Sequence, residues 1–72
     1  MKYVLVSDIK NAICTVKLNN PDKKNALSIA LRDEVSAALG ELAGKPELKV
    51  VIIRGTGNVF SAGFDLDEFQ KA

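Results

Sequence analysis

The sequence predicts an α/β fold, and three features carry that prediction. Two segments rich in β-branched residues open the chain, and one segment with helical periodicity follows. A third apolar segment then runs into a loop carrying Gly55, Gly57 and Gly63. The order is a β-hairpin, a helix, a buried strand, a glycine loop and the start of a second helix.

"KYVLVSD" (Lys2 to Asp8) and "AICTVKLN" (Ala12 to Asn19) read as the first two strands. Lys10 and Asn11 between them predict a two-residue hairpin turn, since asparagine tolerates positive φ. In the second strand Ala12, Cys14, Val16 and Leu18 alternate with Ile13, Thr15 and Lys17, so Cys14 falls on the more apolar face. A small buried residue is the expected role there. The chain has no histidine that could activate the thiol as a nucleophile.

"NNPDKKNALS" (Asn19 to Ser28) is a polar loop that hands over to a helix running from Ser28 to about Ala43. At about 100° per residue, Leu27, Leu31, Val35, Ala38, Leu39 and Leu42 fall within an arc of about 120°. Asp33, Ser36 and Gly40 lie opposite, and Ser28 suits the N-cap. Ile29 points to the polar side and should be exposed. Gly44 and Pro46 end the helix. "LKVVIIRG" (Leu48 to Gly55) then carries four consecutive β-branched apolar residues, the pattern of a strand covered on both faces in a parallel sheet. The helix before it favours a right-handed crossover, which sets this strand parallel to a neighbour. Asp65, with Glu68 three residues later, suits the cap of the second helix. The third strand asks for a covering layer that the chain barely supplies, which predicts that it is part of something longer.

Composition bounds the function. With 72 residues the chain is at most one small domain, marginal without a staple or a covering partner. One cysteine excludes an internal disulfide, and the absence of histidine leaves no zinc set. A net charge of +1 with 26% charged residues argues against a nucleic-acid or membrane-surface footprint. The amino terminus is too short in apolar residues for a signal peptide or a membrane span, so a cytoplasmic, reduced location is expected.

The glycine loop is neither of the common nucleotide motifs. "GTGNVF" has Phe60 where a dinucleotide fingerprint has its third glycine, and no Gly-Lys-Ser/Thr triplet occurs. Its narrowest point is "SAGFD". Backbone N–H groups just before a helix N-terminus suit a carbonyl oxygen that gains negative charge during a reaction. An ordinary strand–helix turn is the competing interpretation.

"LNNPDKKNALS" and, some thirty residues on, "KVVIIRGTGNVFSAGFDL" together resemble the crotonase superfamily, the enoyl-CoA hydratase/isomerase enzymes. The first carries an Asn-x-Pro-x-x-x-Asn-Ala-Leu pattern and the second a strand followed by Gly-x-Gly-x-x-Phe-Ser-Ala-Gly-x-Asp-Leu. The resemblance implies that residues 1–72 are the amino-terminal fragment of a single crotonase-like domain, the start of a ββα spiral wrapped around an acyl-CoA thioester. It implies that Phe64 supplies one backbone N–H of an oxyanion hole. Ala62, Asp65 and Leu66 would lie along the CoA adenine and pantetheine, Lys24 would reach the CoA phosphates, and Ala26 would line the channel through its backbone. Each residue also has a plain structural role: Lys23 and Lys24 as a solvated loop pair, Asp65 as a helix cap, the Phe64 ring as packing. Asp33, Asp67 and Glu68 are expected to be surface charges.

The resemblance further implies an acyl-CoA substrate, no cofactor beyond that coenzyme A, and a homo-oligomer, a trimer or dimer of trimers. Hydration of a 2-enoyl-CoA is the default reaction; isomerisation, hydrolysis, decarboxylation and dehalogenation stay open, because the family's second oxyanion donor and its catalytic carboxylates come later in the chain. Asp67 also stands where some relatives have a second basic residue, which leaves phosphate binding to Lys24 and to residues outside this sequence. On its own the fragment should be inactive. The alternative is a non-catalytic piece that acts by packing or oligomerisation.

Overall fold

A computed structural model describes residues 2–63 of the chain. At its centre lies β2 (Ile13–Leu18), flanked by β1 (Val4–Val6) and β3 (Val50–Gly55) in the order β1-β2-β3. β1 runs antiparallel to β2, with Val4 opposite Leu18 and Val6 opposite Val16. β3 runs parallel to β2, from Ile13 opposite Val50 to Leu18 opposite Gly55, as a helical crossover requires.

Alternation along β2 sends Cys14, Val16 and Leu18 to one face, where all three are buried. Helix α1 (Ile29–Ala43) covers that face, burying Leu31, Ala38 and Leu42, with Val35 packed against the same cluster. Leu39, at the margin of the apolar arc, is 36% exposed, and Ile29, outside it, is 55% exposed. The Ser28 hydroxyl accepts the Leu31 N–H at 3.1 Å and so caps the helix. Glu34 Oε1 accepts the Tyr3 N–H at 2.8 Å and ties α1 to the start of β1. The helix stops at Gly44, at φ −84°, without a left-handed turn. It leaves through a turn in which the Lys45 carbonyl accepts the Leu48 N–H at 3.2 Å and Pro46 takes the second position, which its fixed φ suits.

One expectation needs correction. The hairpin turn is Asn11-Ala12 rather than Lys10-Asn11: Lys10 and Ile13 exchange two backbone bonds of 2.9 Å, and the two residues between them have φ of 53° and 65°. Paired positive φ values are the type I′ pattern, whose twist matches that of the strands. The one-residue shift leaves Ser7, Asp8 and Ile9 facing only Cys14 and Thr15, a bulge. Ser7 Oγ fills the gap by accepting the Thr15 N–H at 2.8 Å, and the Ser7 carbonyl accepts the Cys14 thiol at 3.3 Å. Cys14 is fully buried there, in its structural role.

The exposure of β3 follows the expectation that this chain barely supplies its cover. The strand is not covered on both faces among the described residues, because it is the outer strand and α1 packs on β1 and β2. Val51 joins the core, but Val50 and Ile52 are 49% and 45% exposed. On the sheet face away from α1 Val50 stands beside Ile13, also exposed, and the exposed Leu5 lies on the same face across β2, opposite Lys17. The second helix expected from Asp65 lies outside the described residues.

An open apolar sheet face should make the 72-residue chain self-associate. Sedimentation at micromolar concentration should show concentration-dependent species, and Ile52→Lys should shift them toward monomer; a cooperatively folded monomer of the parent would count against this. A second expectation concerns Gly55, where an added Cβ would overlap the Val59 carbonyl and come within 2.6 Å of that of Phe60. Gly55→Ala should lower the urea midpoint, at a cost of about 1–3 kcal/mol typical of overpacking. Gly40, mid-helix with nothing within 4 Å, is the control. Gly40→Ala should raise the midpoint, by about 0.5–1 kcal/mol. Equal effects of the two substitutions would disprove the close approach.

Candidate functional site

The loops that follow β2 and β3 leave the sheet side by side, since Leu18 is level with Gly55 and its carbonyl accepts the Thr56 N–H at 3.0 Å. The first loop begins with the 3-10 turn Pro21–Lys23, for which Pro21 supplies the fixed φ. Lys24 and Asn25 follow with φ of 51° and 54°. For lysine this left-handed conformation costs about 1–2 kcal/mol, whereas asparagine adopts it more readily. What offsets that cost is the bonding of the turn. The Lys24 N–H donates to the Pro21 carbonyl at 3.0 Å and the Asn25 N–H to the Asn20 carbonyl at 2.9 Å.

Asn25 is fully buried and spans both loops. Its Oδ1 accepts the Asn20 N–H at 2.7 Å and the Thr56 hydroxyl at 3.4 Å. Its Nδ2 donates to the Val59 carbonyl at 3.0 Å and to the Thr56 carbonyl at 3.4 Å. The main chain adds to the seam. The Ala62 N–H donates to the Lys24 carbonyl at 2.9 Å, and the Leu27 N–H donates to the Gly63 carbonyl at 2.7 Å. The Ser61 hydroxyl donates to the Asn25 carbonyl at 2.8 Å and accepts the Gly63 N–H at 3.1 Å. Gly63 has φ 97°, a region that glycine alone enters without strain. Both of its backbone groups are therefore held in a conformation that the seam imposes.

The residues singled out in the sequence divide accordingly. Lys24, exposed, and Ala62, also exposed, face each other across the seam through the bond between their main chains. Ala26 is half-buried; its N–H donates to the Lys23 carbonyl at 3.0 Å and its carbonyl accepts the Ser28 N–H at 2.9 Å. Only a second lone pair on that carbonyl is left for a ligand. Phe64, Asp65 and Leu66 lie outside the described residues. Sequence reasoning passed over Asn25 and Ser61, which do most of the stitching. The available signal for Asn25 was an amide, able to donate and accept at once, in the middle of a polar loop. Ser61 registered only as a small residue.

Among the described residues no three His, Cys, Asp or Glu side chains gather to hold a metal ion. A cleft of about 330 Å³ lies at the opposite, hairpin end, between Ser7, Asp8 and Ile9 and the last turns of α1 around Glu41 and Lys45. It is remote from the paired loops. Chemically, the seam can do one thing well: hold peptide groups in a fixed direction beside the exposed Lys23 and Lys24.

The sequence matches the Enoyl-CoA hydratase/isomerase family over residues 8–72. Enoyl-CoA hydratase domain-containing protein 3, mitochondrial, of Danio rerio is 39% identical over 67 residues, which cover 93% of this chain and 23% of that protein. Hydroxycinnamoyl-CoA hydratase-lyase of Pseudomonas fluorescens is 37% identical over 64 residues, 89% of this chain and 23% of its own length. Among solved structures, an enoyl-CoA hydratase of Mycobacterium tuberculosis superposes with a TM-score of 0.86 at 39% identity, over 96% of this chain and 31% of that one. The chain spans about a quarter of the length of these curated relatives and corresponds to their amino-terminal part. With its strands, helix and paired loops all matched, the chain belongs to the enoyl-CoA hydratase/isomerase family of the crotonase superfamily.

Proposed function

We propose that the whole protein acts on acyl-CoA thioesters by chemistry of the enoyl-CoA hydratase/isomerase type, and that this segment contributes one oxyanion donor, the backbone N–H of Phe64. The observation that carries the acyl-CoA chemistry is the match to the Enoyl-CoA hydratase/isomerase family over residues 8–72, and the donor assignment is supported by the 2.7 Å bond from the Leu27 N–H to the Gly63 carbonyl. In a trans peptide the carbonyl and the following N–H point in opposite directions. Tethering the carbonyl of residue 63 supports this role, since the N–H proposed as the donor belongs to the same planar peptide group. A donor fixed in advance is what stabilises an enolate-like oxyanion, because no reorganisation is needed when charge develops. Lys24 reaches the CoA phosphates, Ala26 and Ala62 border the same channel, and Asp65 and Leu66 continue it. No cofactor is required beyond the coenzyme A of the substrate. Hydration of a 2-enoyl-CoA is the default; residues later in the chain decide among the family's reactions.

The exposed Leu5, Ile13, Val50 and Ile52 support a second proposal, that a chain of this length acts by packing or oligomerisation alone. In the leading proposal the same face is covered within a homo-oligomeric enzyme, a trimer or dimer of trimers, or by a carboxy-terminal segment. No helix among the described residues is long and apolar enough to cross a membrane. We place the protein in the cytoplasm, although the Danio rerio relative is named mitochondrial.

The test separates backbone from side chain. In the full-length protein Phe64→Pro removes the N–H and should lower kcat by about 10²–10³, with CoA affinity and melting temperature little changed. Phe64→Ala keeps the N–H and should alter mainly acyl preference. If the proline variant turns over like the parent while folded, the amide is not the donor. The isolated 72-residue chain, with one proposed donor and no motif that places a base, should show no turnover of an enoyl-CoA; hydration that survives purification would support a complete site within it.

A further inference from the structure

We infer that Ser61 is a positioning residue: its hydroxyl locks Gly63 and thereby aims the amide that follows it. The inference rests on the proposed role of the Phe64 N–H, and it adds a side chain where that role so far has only main chain. Two peptide groups flank the Gly63 Cα, and each needs a tether if the glycine is to keep one conformation. Leu27 holds the second through the Gly63 carbonyl at 2.7 Å. Ser61 holds the first, by accepting the Gly63 N–H at 3.1 Å. Without the hydroxyl, the preceding peptide could turn about a residue that has no Cβ to limit it.

The hydroxyl is itself fixed. It has one hydrogen, and that hydrogen goes to the Asn25 carbonyl at 2.8 Å. Asn25 is in turn buried and bonded to Asn20, Thr56 and Val59. The orientation of Gly63 is thus traced through Ser61 to the main chain of Asn25, the residue whose side chain is best anchored in the seam. A nucleophilic role for Ser61 is not supported, because its proton is committed to the Asn25 carbonyl.

The test is kinetic and uses the full-length protein. Ser61→Ala should lower kcat on the order of tenfold, more than the roughly fivefold of one neutral hydrogen bond and less than the loss of the donor itself. KM should stay near the parent and the melting temperature should fall only modestly, for the two part-buried bonds lost, whereas a purely structural role would lower stability without a selective loss of kcat. Ser61→Thr keeps the hydroxyl and should restore kcat to within about twofold of the parent. The double variant Ser61→Ala/Phe64→Pro should be no slower than Phe64→Pro alone, because both act through one amide. An unchanged kcat in Ser61→Ala, or a double variant slower by the product of the two effects, overturns the inference while leaving the Phe64 donor intact. If Phe64→Pro is silent, the donor assignment itself fails, whatever Ser61→Ala does. Should Ser61→Ala not fold, Ser61→Cys substitutes a weaker donor and acceptor of similar size. An intermediate kcat then supports the inference, and a parental kcat overturns it.

Discussion

The buried amide of Asn25 is the constraint on which the paired loops depend. It satisfies four partners from one side chain, two through Oδ1 and two through Nδ2, which is nearly all that a carboxamide can offer. Full satisfaction matters because the group is completely buried. A buried polar atom deprived of its partner costs about 1–3 kcal/mol, so any rearrangement of either loop would strand several such atoms together. No buried side-chain nitrogen or oxygen among the described residues lacks a partner. The left-handed backbone at Lys24 and Asn25 accompanies this burial, with the amide set between the loops.

The sheet makes that contact available. Parallel pairing of β2 with β3 brings the exits of both strands to one level, Leu18 beside Gly55. Two segments more than thirty residues apart in sequence are thereby delivered within hydrogen-bonding distance. Gly55 allows the second loop to fold back closely over the strand end, since its Cα faces the carbonyls of Val59 and Phe60. Ligands of open α/β sheets gather at such carboxyl ends, and here the reason is local. Strand ends supply backbone groups that no ladder consumes, and the seam turns them into oriented donors and acceptors.

Elements whose cause lies within a few residues could be read from the sequence alone. The helical period from Leu31 to Leu42, the Ser28 cap and the burial of Cys14 depend on spacing and side-chain type, and all three hold. The hairpin turn was displaced by one residue because its position depends on strand twist and on a bulge that Ser7 completes, neither of which composition reveals. The four apolar residues of β3 suggested a covered strand, and the described residues leave Val50 and Ile52 open. That pattern reports what the residues require, whereas the cover comes from elsewhere. Asn25 and Ser61 were missed for a related reason: a polar loop residue looks alike whether it faces water or another loop, until the second loop is placed beside it.

These observations separate two kinds of stability within one segment. Among the described residues the paired loops are closed by hydrogen bonds between residues 20–27 and 56–63. The sheet is different: its face away from α1 presents Leu5, Ile13, Val50 and Ile52 to solvent, and its burial needs atoms outside the described residues. Burial of apolar area dominates folding free energy, while hydrogen bonds contribute modestly but impose direction. The segment therefore holds the directional part of a site and relies on further covering for much of its driving force. Cover over the sheet would raise the population of the folded loops without changing their geometry, because no bond of the seam passes through the open face. The direction of the Gly63 carbonyl is thus a property of residues 24–63, and its persistence is a property of whatever completes the sheet.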